Sequence, residues 1–201
     1  MWKWIGGVAL FLVVLLMSGV CYGVKKMKQF AGDDGPATTM VGASVDRVFA
    51  SLATGDSIPE WMGVSGTVHA SRGGALKVGD SLTVLAPTAA GDRQRAGWIV
   101  TEVVPGRLLV LEMRNDSLGV VMASRRYALE VRADSTAIIS TVAAPMLDSM
   151  KSSGGDSSTG GAMMTFASKM MLTGLRAQAK VELMQLKARL EGRSVPAGAQ
   201  P

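Results

Sequence analysis

Two periodicities divide the chain. Leu109, Leu111 and Met113 alternate with Glu112 and Arg114, and Tyr127, Leu129 and Val131 alternate with Arg126, Glu130 and Arg132. A period of two predicts strands with one apolar face and one wet face. Segments of this kind fall at residues 64–70, 80–86, 96–104, 107–114, 119–132 and 136–144, with turn signals such as Arg72-Gly73-Gly74, Pro105-Gly106 and Ala133-Asp134 between them. Short strands at nearly even spacing predict an antiparallel meander. The period changes to between three and four on either side of the meander. Over residues 44–53, Ser44 is a candidate N-cap and Val45, Val48, Phe49 and Leu52 share one face, which predicts a short helix. Residues 58–63, with Pro59, Trp61 and Met62, predict a second. Over residues 162–191, Leu172, Leu175, Ala179, Leu183, Leu186 and Leu190 form one stripe, with Lys169, Arg176, Lys180, Lys187 and Glu191 on another side. This predicts a long amphipathic helix whose stripe covers the apolar face of the sheet.

A third pattern opens the chain. Residues 4–24 carry no charge, enough as a helix to cross a hydrocarbon layer of about 30 Å. Trp2, Trp4 and Tyr22 stand at its ends, and Lys3, Lys25, Lys26 and Lys28 mark its exits. A single-pass membrane anchor over residues 1–28 is the expectation. The alternative, a cleaved signal peptide, has a shorter apolar region and an A-x-A site that is missing here. The lysine balance leans toward a cytoplasmic domain. Residues 29–36 read as a linker, 37–191 as the domain and 192–201 as a disordered tail. Residues 149–161, rich in Ser and Gly, read as a flexible loop; without a Gly-Lys-Ser/Thr ending they do not suggest a phosphate cradle.

Charge changes little once it is located. The chain has 21 Lys+Arg against 16 Asp+Glu, but four of the lysines belong to the anchor and its flank. The remainder is nearly neutral and its basic groups alternate with acids, which argues against a nucleic-acid partner. With 48% hydrophobic residues the chain has ample apolar surface to fold. One Cys and one His exclude a disulfide framework and the usual Cys/His zinc site, and no metal or cofactor is implied.

Four segments carry a family resemblance. They are Val45-Asp46-Arg47-Val48-Phe49-Ala50-Ser51-Leu52, Ile58-Pro59-Glu60-Trp61-Met62, Leu76-Lys77-Val78-Gly79-Asp80, and the run Trp98-Ile99-Val100-Thr101-Glu102-Val103-Val104-Pro105-Gly106-Arg107-Leu108. In this order, between a short first strand (residues 38–41) and a long last helix, they resemble the START-like superfamily, also called SRPBCC, with its polyketide cyclase/dehydrase-like members. The resemblance covers about residues 37–191. It implies an α+β helix-grip fold: a curved antiparallel sheet of six to seven strands wrapped on the C-terminal helix, with two short helices after the first strand. It also implies an internal cavity for a hydrophobic small molecule or lipid. The first strand is shorter, and the Ser/Gly loop longer, than the family pattern.

Candidate cavity residues follow from parity and composition. Adjacent strand residues face opposite ways, so of Arg125 and Arg126 the one in phase with Tyr127 and Leu129, Arg125, is expected to point inward with Leu109, Leu111 and Met113. Trp61 and Trp98 either shape a wall or pack the core. Met146, Met163, Phe166 and Met170 cluster where the family's cavity mouth lies; methionine adapts to varied ligands and fills core gaps equally well. Catalytic signals are poor. His69 reads as a solvent-facing or hydrogen-bonded structural residue on a strand, Glu102, Glu112 and Glu130 as the wet face, and no nucleophile–base pair stands out. Asn115-Asp116-Ser117 is a formal glycosylation sequon, meaningful only in a eukaryotic secretory setting. Three functions stay open: a membrane-anchored, non-enzymatic binding module, which the residues favour; a cyclase/dehydratase-type enzyme; and a domain that docks a protein partner at the membrane.

Overall fold

A computed structural model describes residues 35–62, 67–87, 93–115, 120–146 and 159–193. The apolar stretch 4–24, most of the linker before Ala37, and the side chains of Met163 and Phe166 lie outside the described residues. No helix among the described residues is long and apolar enough to cross a membrane.

The order of elements is β1 (Ala37–Val41), α1 (Val45–Leu52), α2 (Ile58–Met62), β2 (Thr67–Ala70), β3 (Ser81–Pro87), β4 (Arg93–Val104), β5 (Leu108–Asn115), β6 (Val120–Arg132), β7 (Ser135–Ala143) and α3 (Thr159–Leu190). All seven strands form one antiparallel sheet in the order β1-β7-β6-β5-β4-β3-β2. Strands β2 to β7 form a meander, and β1 returns to pair with β7. The curled sheet and its C-terminal helix make a helix-grip arrangement.

Local chemistry explains the ends of the elements. The Ser44 side chain accepts a hydrogen bond from the Arg47 N–H at 3.4 Å and caps α1, with Asp46 in the first turn. Val48 and Leu52, one turn apart, are the buried face. Helix α2 buries Ile58, Trp61 and Met62, and the Trp61 indole N–H donates to the Ser51 carbonyl at 3.0 Å, tying α2 to α1. Gly106, at φ +67°, takes the left-handed position that closes the β4–β5 turn. Helix α3 ends where Gly192, at φ +66°, lets the Arg193 N–H reach the Ala188 carbonyl at 2.8 Å and the Gly192 N–H reach Arg189 at 3.2 Å. That pair of bonds is a Schellman cap. Gly192 and Arg193 therefore finish the helix. At the other end α3 begins at Thr159, so the Ser/Gly-rich stretch gives its last three residues to the helix.

Two register shifts curl the sheet, between Val100 and Glu102 in β4 and between Met113 and Arg114 in β5 opposite β6. The first decides which way a charge points. Trp98 and Val100 face the core; unbroken alternation would send Glu102 after them, but across the bulge Val103 takes the inward place and Glu102 is exposed. Val131 departs from the expected burial of its face: near the end of β6 it is 67% exposed.

Helix α3 packs across β1, β7 and α2. Its two halves differ. From Ala179 onward, Ala179, Val181, Leu183, Leu186, Ala188 and Leu190 are buried, whereas Met170, Met171, Leu172 and Leu175 are only half-buried. Among the described side chains of α3, the stripe is closed over the C-terminal half, from Ala179 onward. That half is also fastened: Lys187 Nζ donates to the Met40 carbonyl at 2.6 Å, the Gly42 N–H donates to Glu191 at 3.2 Å, and Arg189 pairs with Glu60.

Candidate functional site

Parity places Arg125 on the concave face of β6, between Ala123 and Tyr127 and opposite Leu111 on β5 and Val142 on β7. It is 1% exposed, while its neighbour Arg126 is exposed. A lone guanidinium among leucines would be untenable. Its counter-charge comes from α3, where Glu182 sits one helical turn from Ala179 and from Leu186, on the apolar stripe, at 0% exposure.

Arg125 Nη1 donates to both oxygens of the Glu182 carboxylate, at 2.8 and 2.6 Å. The Tyr127 hydroxyl donates to Oε2 at 3.3 Å, and Gln178 supplies a further hydrogen bond. The Trp98 ring lies under the guanidinium, 4.6 Å from Arg125 Cζ to the ring centroid, in cation–π contact. The Trp61 ring meets the Tyr127 ring edge-on, at 5.7 Å and 82°. Trp61, Trp98, Arg125 and Tyr127 thus converge with Glu182, from two strands and two helices, in the sheet–helix interface.

The electrostatics follow from burial. Desolvation alone would lower the Arg125 pKa, but the adjoining Glu182 carboxylate outweighs it and holds the guanidinium charged, above its usual value. Burial pushes the Glu182 carboxyl up, against the opposing pull of Arg125, Tyr127 and Gln178. Burial, with the Glu182 charge beside it, raises the Tyr127 hydroxyl as well, so it stays a proton donor and not a base. Two buried polar atoms on this concave face have no hydrogen-bond partner: Arg125 Nε and Ser140 Oγ. No group of three or more metal-ligating side chains occurs among the described residues.

The remaining expected residues divide by position. Leu109 and Leu111 are fully buried core, and Leu129 is nearly so. Met113, like Ala96 and Leu175, is half-buried and packs against the core. Met146 and Met170 are half-buried. His69 faces solvent on β2. Glu130 is exposed and pairs with Arg132, and Glu112 pairs with Arg114 at 2.7 Å, both on the outer face. Glu182, Gln178 and Ser140 were not among the expected residues. For Glu182 the signal is its spacing, since Ala179, Glu182 and Leu186 lie on one stripe.

The fold has solved counterparts at low sequence identity. The solution structure of the Aha1 dimer from Colwellia psychrerythraea matches with a TM-score of 0.50 and 16% identity, over 78% of this chain and 94% of that one. The di-domain ARO/CYC StfQ from the steffimycin biosynthetic pathway matches with a TM-score of 0.54 and 15% identity, over 79% of this chain and 52% of that one. CalU16 from Micromonospora echinospora matches with a TM-score of 0.50 and 14% identity, over 79% and 74%. No protein-family model matches the chain, and neither does any curated protein sequence. What is shared with these structures is the fold.

Proposed function

We propose that this chain is a membrane-anchored, non-enzymatic module that binds a hydrophobic small molecule or lipid between α3 and the concave face of the sheet. The observation that carries the reading is the contrast along α3. Its second half is buried and tied to β1 and α2, whereas Met170, Met171, Leu172 and Leu175 stay half-buried. An apolar surface left half-covered at one end of a closed core is where an apolar guest gains most by burial. Methionines there can repack around its shape. The anchor is assigned to residues 4–24, and the domain to the cytoplasmic side, from the apolar run and its lysines.

The same cluster gives an enzymatic reading less support. General acid–base work needs a titratable group free to exchange a proton with substrate. The Glu182 carboxylate is occupied by Arg125, Tyr127 and Gln178, and the Tyr127 hydroxyl is held protonated. A cyclase-type role, suggested by the ARO/CYC counterpart, would require substrate to displace these contacts.

Native mass spectrometry of the full chain extracted from membranes tests the reading. An apolar compound that co-purifies in stoichiometric amount supports it. A bare chain that takes up nothing from a total lipid extract refutes it, and a bare chain with a stoichiometric protein partner supports docking instead. Deleting residues 1–28 should leave the chain in the soluble fraction; membrane association that persists would refute the anchor assignment.

A further inference from the structure

The way Arg125 meets Glu182 leaves the buried Nε without a partner. A side-on fork would use Nε together with a terminal nitrogen. Here the terminal Nη1 alone serves both carboxylate oxygens, and Nε, fully buried, has no partner. Native structures leave few buried donors in this condition, and each such group calls for a reason. A second unpartnered atom stands nearby. Ser140 lies opposite Tyr127 on β7, and Val142 opposite Arg125, so Ser140 is the diagonal cross-strand neighbour of Arg125 on the same concave face. Diagonal neighbours are about 7–8 Å apart. Its hydroxyl is buried and unpaired.

We propose that these two atoms form the polar end of the ligand site, with Arg125 Nε–H donating to an uncharged acceptor, a carbonyl or ether oxygen, on an otherwise apolar ligand, and the Ser140 hydroxyl beside it. The proposal rests on the reading of the sheet–helix hollow as a ligand site. The acceptor is uncharged because the Arg125 charge is already matched by Glu182. A ligand carboxylate at the same place would bring a second negative charge up to Glu182 in a medium that screens poorly, where Arg125 is the cation that acts on the Glu182 carboxyl among the described residues. Trp98 covers one face of the guanidinium, so the donor edge, not the ring-stacking face, is what a guest meets.

Titration of the full chain with three fluorinated probes, followed by 19F NMR, tests this. In 6-fluoro-2-acetylnaphthalene the carbonyl is the acceptor; 6-fluoro-2-isopropenylnaphthalene keeps the shape without it; 6-fluoro-2-naphthoate adds a charge. The ketone should bind about tenfold more tightly than the alkene, the factor expected when a buried unpaired donor gains its bond. The naphthoate should be the weakest. Arg125→Lys keeps a cation opposite Glu182 but has no Nε, and should bring ketone and alkene to within about twofold of each other. Ser140→Ala, a smaller change in the fold, should narrow the same gap in part. Equal affinity for ketone and alkene in the parent chain would overturn the proposal and leave the apolar hollow standing, as would a preference for naphthoate. Failure of all three probes to bind would overturn both.

Discussion

If the Arg125–Glu182 pair serves recognition, replacing it by apolar side chains should leave the fold intact, and a mutant cycle measures this. The two charges are 1% and 0% exposed and 2.6 Å apart at their nearest atoms. Truncating one partner strands the other in the interior, at a cost of about 3–5 kcal/mol. The attraction forgone is about 4 kcal/mol for unit charges 4 Å apart at an effective dielectric constant of about 20. Removing both charges gives up that attraction but also removes the desolvation of two ions, several kcal/mol each, so the sums nearly cancel. Tyr127 complicates the double variant, because its hydroxyl donates to Glu182 and would be left unpaired at about 1–3 kcal/mol. The cycle is therefore built on Tyr127→Phe. Gln178 is half-buried and can turn to water. In that background Arg125→Met and Glu182→Leu should each lose about 3–5 kcal/mol, while the double variant returns to within about 1 kcal/mol of the starting protein. Urea unfolding read by the emission of buried Trp61 and Trp98 gives the numbers. Losses that simply add in the double variant would refute the reasoning, since they would show two independent structural contributions and no ion pair kept at a net cost.

Other perturbations separate parts of the fold. Leu186→Ala, in the closed half of α3, should cost about 2–5 kcal/mol, and Leu175→Ala, in the half-buried part, about 1 kcal/mol; equal losses in urea unfolding would remove the contrast on which the ligand hollow rests. Ala133 turns the β6–β7 hairpin at φ +47°, a left-handed conformation costing about 1–2 kcal/mol without glycine. After the extra chain entropy of glycine, Ala133→Gly should raise stability by about 0.5 kcal/mol, visible as a higher melting temperature. The Gly42 N–H, with Lys187 and Arg193, holds the Glu191 carboxyl below its usual 4.5. Its contribution is present above pH 4.5 and lost as the pH falls through the lower folded value. The melting-temperature gap between the parent and Glu191→Gln should therefore close in acid, and a gap independent of pH would contradict the assignment.

The parts of this fold that depend on near neighbours are legible in the chain. Ser44 announces α1 because a cap needs only a hydroxyl three residues before its N–H. The inward aim of Arg125 follows from strict alternation with Tyr127 and Leu129, which a register slip would turn inside out. Where a long-range contact intervenes, the pattern misleads. The β4 bulge moves the inward place from Glu102 to Val103, and only the partner strand shows it. Val131 continues the apolar alternation yet is 67% exposed. The even stripe on α3 does not reveal that residues 170–175 are less covered than those from Ala179 onward, because cover depends on what stands across the gap.

Glu182 shows why the site was harder to read than the fold. Its spacing from Ala179 and Leu186 puts it on the buried stripe, yet an acid on a helix ordinarily marks the wet side. Its partner, 57 positions earlier, announces itself only by strand parity. The two facts become informative together: an inward arginine on a strand requires a counter-charge, and the cover helix has one acid on its apolar stripe to supply it. Joined this way, an anomaly in each element becomes one buried pair, and the unused Nε on that pair is what distinguishes a polar recognition point from a structural clasp.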